Sequence, residues 1–120
     1  MKLSLTILAI FAAFLSQFSL AGTTPLDCRR VDYAELQQFN KKDLESKYCR
    51  DKSALDLALQ FSLNAINAGR EMRDIGDPKR AFAIFEENKY NIKVHSDCAN
   101  EIQRTERILQ QKKFKKPECK

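Results

Sequence analysis

Four cysteines at mirrored spacing constrain this chain more than any other feature. Cys28 and Cys49 lie 21 residues apart, and so do Cys98 and Cys119. None belongs to a C-x-x-C pair and His95 is the only histidine, so a zinc site is excluded and no metal or cofactor is expected. The expected use of all four is two disulfides, for which three pairings exist. Glycine and proline number only three each, and Ala, Leu, Gln, Glu, Lys and Arg dominate, so helix is the default conformation. Each close pair brackets a proposed helix roughly 24 Å long. Disulfides need Cα atoms roughly 5–6 Å apart. Pairing Cys28 with Cys49, and Cys98 with Cys119, is therefore disfavoured.

Local signals divide the chain into three to four helices, an all-α bundle with up-down topology. The first is predicted from Asp32, with Glu35 completing a capping box, to near Cys49, its stripe Leu36, Phe39, Leu44 and Tyr48. A second opens at Ser53 and ends at Gly76, burying Leu55, Ala58, Leu59, Ser62, Leu63, Ile66 and Met72, with Leu57 and Phe61 partly off the stripe. Asp77-Pro78 is the clearest start signal, a capping Asp before Pro at the first helical position. Ala81, Phe82, Phe85 and Ile92 mark that third helix's inner face. A break over Val94 to Ser96 then separates a fourth helix carrying Cys98, Ile102, Thr105 and Leu109 on one face. The alternative is one continuous helix. In an up-down arrangement of four helices, Cys49 and Cys98 meet at one end and Cys28 and Cys119 at the other. The favoured pairing is therefore Cys49–Cys98 with Cys28–Cys119.

Residues 1–21 are unlike the rest. Lys2 precedes an almost wholly apolar run from Leu3 to Leu15, and Ser19-Leu20-Ala21 offers small residues where a signal peptidase reads. The run is short for a membrane span of ~20 residues. Removing these twenty-one residues from 120 leaves a 99-residue domain, 22–120, with twenty basic against sixteen acidic residues, a charge of +4. The expected location is secreted and extracellular. A charge of +4 is too small to imply nucleic acid. Small secreted domains commonly supplement a modest core with disulfides.

Catalytic patterns are missing from the sequence. His95-Ser96-Asp97 are sequence neighbours, whereas triads are assembled from residues distant in sequence. The adjacent Cys-Cys and His-Asp pairs of calcium-dependent phospholipases are lacking, and Glu86-Glu87 reads as solvated helix surface. A non-enzymatic role is expected. Lys112, Lys113, Lys115 and Lys116, flanking Phe114, are a candidate site for a sulfated glycan or anionic membrane surface, although cations also suit a helix C-terminus. Phe39, Phe61, Phe82 and Phe85 fit a packed core better than a ligand cavity.

The leader Met1 to Ala21, the lysine-rich helical body and the framework Cys28, Cys49, Cys98 and Cys119 together resemble small secreted seminal-fluid proteins of insect male accessory glands. That resemblance implies transfer to the mated female and recognition of an extracellular protein or receptor, with no catalytic residues. The four-cysteine helical pattern is also similar to insect odorant-binding proteins that keep four cysteines, which implies carriage of a small apolar ligand; their cysteine spacings are less symmetric. A bacterial periplasmic inhibitor or chaperone with a helical-hairpin core would share the leader and disulfides.

N-terminal sequencing of the product secreted by cells expressing the full chain should read Gly22-Thr23-Thr24, and a product beginning at Met1 would contradict the leader assignment.

Overall fold

The computed structural model describes residues 26–120; the expected leader and cleavage site lie outside them. Three helices appear: α1, Tyr33–Gln37; α2, Lys41–Asp74; and α3, Pro78–Gln111. The last two, each 34 residues and about 51 Å long, pack against each other as an antiparallel hairpin. The described residues contain no strand.

The helix boundaries follow from capping chemistry. Asn40 starts α2, its side chain accepting from the amide of Asp43 at 2.8 Å. Asp32 precedes α1 but makes no side-chain cap, so the capping box expected there does not form. Ser53 does not open a helix: residues 41–68 contain neither glycine nor proline, and α2 runs straight through. At Gly76, φ is 85° and the last turn closes through Gly76 N–H to Arg73 O and Asp77 N–H to Met72 O, a Schellman stop. Asp77 then accepts from the Arg80 amide at 3.2 Å with Pro78 beginning α3, as the sequence predicts. No break occurs at Val94–Ser96. The α3 helix continues to a second Schellman closure, Lys113 N–H to Gln110 O and Phe114 N–H to Leu109 O. Lys113 takes φ 60° there, in the left-handed region usually given to glycine.

Both helices are continuous because an unbroken seam joins them. On α2 it runs through residues 44, 48, 51, 55, 58, 62, 65, 69 and 72, and on α3 through 81, 84, 88, 91, 95, 98, 102, 105 and 109. None of these positions is exposed. Alternating steps of three and four are a heptad repeat, the pattern of coiled-coil pairing. In its distal part, towards the Gly76 turn, the seam is mostly small or polar, with Ala58, Ser62, Ala65 and Gly69 facing Ala81, Asn88 and Asn91, and Met72 and Ile84 as its larger groups. A Cβ on Gly69 would sit 2.2 Å from Phe85 Cε1, so the missing side chain is what lets that ring lie against α2. Asn88 Nδ2 donates to Ser62 Oγ across the seam at 3.1 Å, which fixes the register.

Large apolar groups gather instead at the open end. Leu36, Leu44, Tyr48, Ile102, Ile108 and Leu109 form the main cluster, ringed by Val31, Phe39 and Phe114. A smaller cluster joins Cys28 to Ala58, Val94 and Cys98.

The disulfides are Cys28–Cys98 and Cys49–Cys119, with Cα separations of 5.0 and 5.4 Å. This corrects the favoured pairing. That scheme needed a fourth helix descending from a break at Val94–Ser96, and α3 does not break. Opposite Cys98, α2 presents Ala54, which packs in the same cluster; Cys49 lies five residues away, about 8 Å along the axis. Heptad phase also puts Cys49 and Cys98 on opposite flanks of the hairpin. The chain ends do the bridging. The segment before α1 runs back along one face to Cys98, and the segment after α3 reverses at Lys113 along the other to Cys49.

Peptide mapping of the unreduced protein should recover Cys28 linked to Cys98 and Cys49 linked to Cys119. A Cys49–Cys98 peptide would contradict the continuous α3.

Candidate functional site

The straps divide the hairpin into a clamped proximal half and a bare distal half, and each carries a distinct constellation. Under the N-terminal strap lies a buried ionic cluster. Lys47 Nζ sits 2.8 Å from Asp51 Oδ2 and 3.1 Å from Glu101 Oε2, and all three side chains are essentially inaccessible. Arg104 pairs with Glu101 from the edge. Two cations therefore meet two carboxylates. The strap's backbone completes the arrangement: Lys47 donates to Arg29 O at 3.4 Å, Val31 N–H donates to Glu101 at 3.4 Å, and Arg104 donates to Val31 O at 2.7 Å. The described residues hold no buried side-chain nitrogen or oxygen without a hydrogen-bond partner.

Burial holds the Asp51 carboxyl above the ordinary aspartate range, against the opposing pull of Lys47. An open groove of about 670 Å³ runs beside this strap, with Arg29, Arg30, Lys93 and Arg107 along it and Asp27, Asp97 and Glu101 among them. Its mixed charge resembles a solvated surface more than a carrier's enclosed apolar pocket.

The four cysteines singled out in the sequence are the anchors of both straps. All four tail lysines are exposed, and two of them also hold the tail in place. Lys112 Nζ donates to Phe39 O at 2.9 Å, binding the tail to the α1–α2 connection. Lys116 pairs with Glu106 at 3.2 Å and lies 5.9 Å from the centre of the Tyr48 ring. The Glu106 carboxylate, followed by the Tyr48 hydroxyl, raises its pKa. Lys113 occupies the helix stop, and Lys115 is exposed. Half of the proposed anionic-surface site thus serves to hold the tail. His95 lies on the seam, half-buried.

The distal half departs furthest from expectation. Leu59, Leu63, Phe82 and Ile92, expected inside, are 46, 52, 66 and 54% exposed. Phe61, expected in a packed core, is likewise exposed, whereas Phe39 packs against the main cluster and Phe85 is half-buried. The distal seam is narrow for such groups, because apart from Met72 and Ile84 it is built from alanine, serine, glycine and asparagine. Heptad phase places Leu59, Leu63 and Ile66 of α2 and Phe82, Phe85 and Ile92 of α3 on one face. It is the face whose proximal part the C-terminal tail covers. Phe61 and Ile75 project on the opposite side. Sequence periodicity found these apolar residues and assigned them the wrong environment; the small seam residues between them were the available signal.

Among the described residues, no helix is long and apolar enough to cross a membrane and no His, Cys, Asp or Glu group could hold a metal ion. No protein-family model matches the chain, and neither curated proteins nor solved structures give a match.

Removing Lys47 leaves two buried carboxylates facing Arg104 alone, so Lys47→Ala should lower unfolding free energy by about 3–5 kcal/mol in urea titrations at pH 7. Asp51 has a folded pKa above its unfolded value of 3.8, so its contribution is fully present below that value and is lost as pH rises through the folded pKa. The stability of the wild type relative to Asp51→Asn should therefore fall as pH rises above 3.8. A difference moving in the wild type's favour over that range would contradict the burial effect.

Proposed function

We propose that this protein is a secreted, non-enzymatic extracellular effector that acts by protein–protein recognition through the distal half of its hairpin. The observation that carries this reading is the apolar face itself. Four of its side chains remain roughly half to two-thirds exposed on a scaffold whose other end is fixed by two disulfides. Exposed apolar patches of a few hundred Å² mark interaction surfaces in soluble proteins. Rigid presentation lowers the ordering cost of binding. Two disulfides and the leader sequence support an oxidising, extracellular setting. The seminal-fluid resemblance makes the mated female's tract the setting in which to seek the partner.

A photo-crosslinking residue placed at Leu63 in the secreted protein should capture a discrete protein adduct in its native fluid, competed by unlabelled wild type and not by Leu63→Asp/Phe82→Asp. The same probe at Arg107 should capture far less. Capture from Arg107 alone would move recognition to the groove beside the N-terminal strap.

A further inference from the structure

We infer that the distal face is built to pair with a second copy of this chain, giving an antiparallel four-helix unit. The inference deepens the reading of that face as a recognition surface and rests on it.

Geometry supplies the first argument. On α2 the bare length extends from about residue 53, just past the Cys49–Cys119 strap, to the Gly76 turn. Its midpoint lies between Asn64 and Ala65. A two-fold axis across the hairpin at that level places the second copy's turn against residue 53. The tail strap therefore ends where the partner's turn would end, and neither collides with the other. A two-fold pairing of this kind is isologous, so every contact occurs twice.

The side chains agree with that axis. It sets Leu63 over Ile66 of the second copy and Phe82 over Ile92 of the second copy, while Leu59 and Phe85 meet Arg70 and Lys89 of the second copy, whose aliphatic stems can lie along them. At the edge it sets Asp56 opposite Arg73 of the second copy, whereas Glu86 and Lys89 already pair within each chain at 2.9 Å. Opposite charges therefore meet along the α2 rim, once at each of its ends. Asp56 and Arg73 are exposed on the single chain.

Area is the third argument. From residue 56 to residue 73 the face runs about 26 Å, and two helices present a width of about 20 Å. Each copy thus offers about 520 Å², so the pair covers roughly 1,000 Å² in total, the floor for a specific interface and below the standard size of about 800 Å² per partner. A two-layer arrangement also gives the distal half the second layer that an isolated hairpin lacks.

Sedimentation velocity on the oxidised secreted protein from 1 to 500 µM should show a reversible dimer. Leu63→Asp/Phe82→Asp should be monomeric throughout, with unchanged circular dichroism and both disulfides intact. Asp56→Arg should weaken the dimer about fivefold at low salt, from two symmetric rim pairs, and Asp56→Arg/Arg73→Asp should restore it. A monomer at 500 µM, or a dimer insensitive to the Leu63/Phe82 variant, would overturn the pairing. A dimer unaffected by Asp56→Arg would overturn the antiparallel axis. If the protein is monomeric while the Leu63 probe still captures a different protein, the pairing fails and the recognition reading stands. If both are negative, both fail.

Discussion

Two disulfides return the chain's ends to the hairpin, and the rest of the structure depends on that constraint. A two-helix hairpin whose distal seam is mostly alanine, serine, glycine and asparagine buries little apolar area there and has no second layer. Here the layers are supplied by chain that is largely not helical. The segment before α2 lies on one face and the segment after α3 on the other, and only between them do Leu36, Leu44, Tyr48, Ile108 and Leu109 find enough neighbours to be buried. Each bond closes a loop 70 residues long, and contributes about 2–4 kcal/mol by restricting the unfolded chain. The Lys47–Asp51–Glu101 cluster belongs to the same constraint. Its cation finds a backbone acceptor only because Cys28 holds Arg29 beside it.

Clamping one half leaves the other with a different character. Beyond the straps, backbone hydrogen bonds within α2 and α3 and the Ser62–Asn88 pair hold the hairpin, while large apolar side chains point outward. Such an arrangement is costly for an isolated chain and suited to a surface that is covered on binding. This is why the proposed recognition role and the proposed self-pairing both fall on the distal face. The tail lysines contribute to the clamp: Lys112 and Lys116 reach back to Phe39 and Glu106.

The helical class, the Gly76 stop and the Asp77-Pro78 start were legible because they rest on local chemistry. Backbone conformation at glycine and the missing proline donor act without tertiary help. The boundaries near Ser53 and Ser96 were misread for the opposite reason. A serine with capping chemistry stays within a helix when the packing seam continues through it. The cysteine pairing was misread because it depended on a fourth helix, and nothing local showed that the segment before α1 and the tail would double back as extended straps. Leu59, Leu63, Phe82 and Ile92 were assigned to the interior because apolar periodicity equates large with buried. The seam was written in Gly69, Asn88 and Asn91, residues that such a reading gives to the surface, as well as in Ser62, which it does place inside.

The division into a clamped half and a bare half is tested most directly by amide hydrogen exchange along α2 and α3 at low micromolar concentration. Exchange reads the free energy of local opening, residue by residue. The slowest amides should lie in the buried stretches around residues 44–55 and 98–109, with residues 60–90 exchanging markedly faster. Protection that is uniform along both helices, or greatest near the Gly76 turn, would contradict the account.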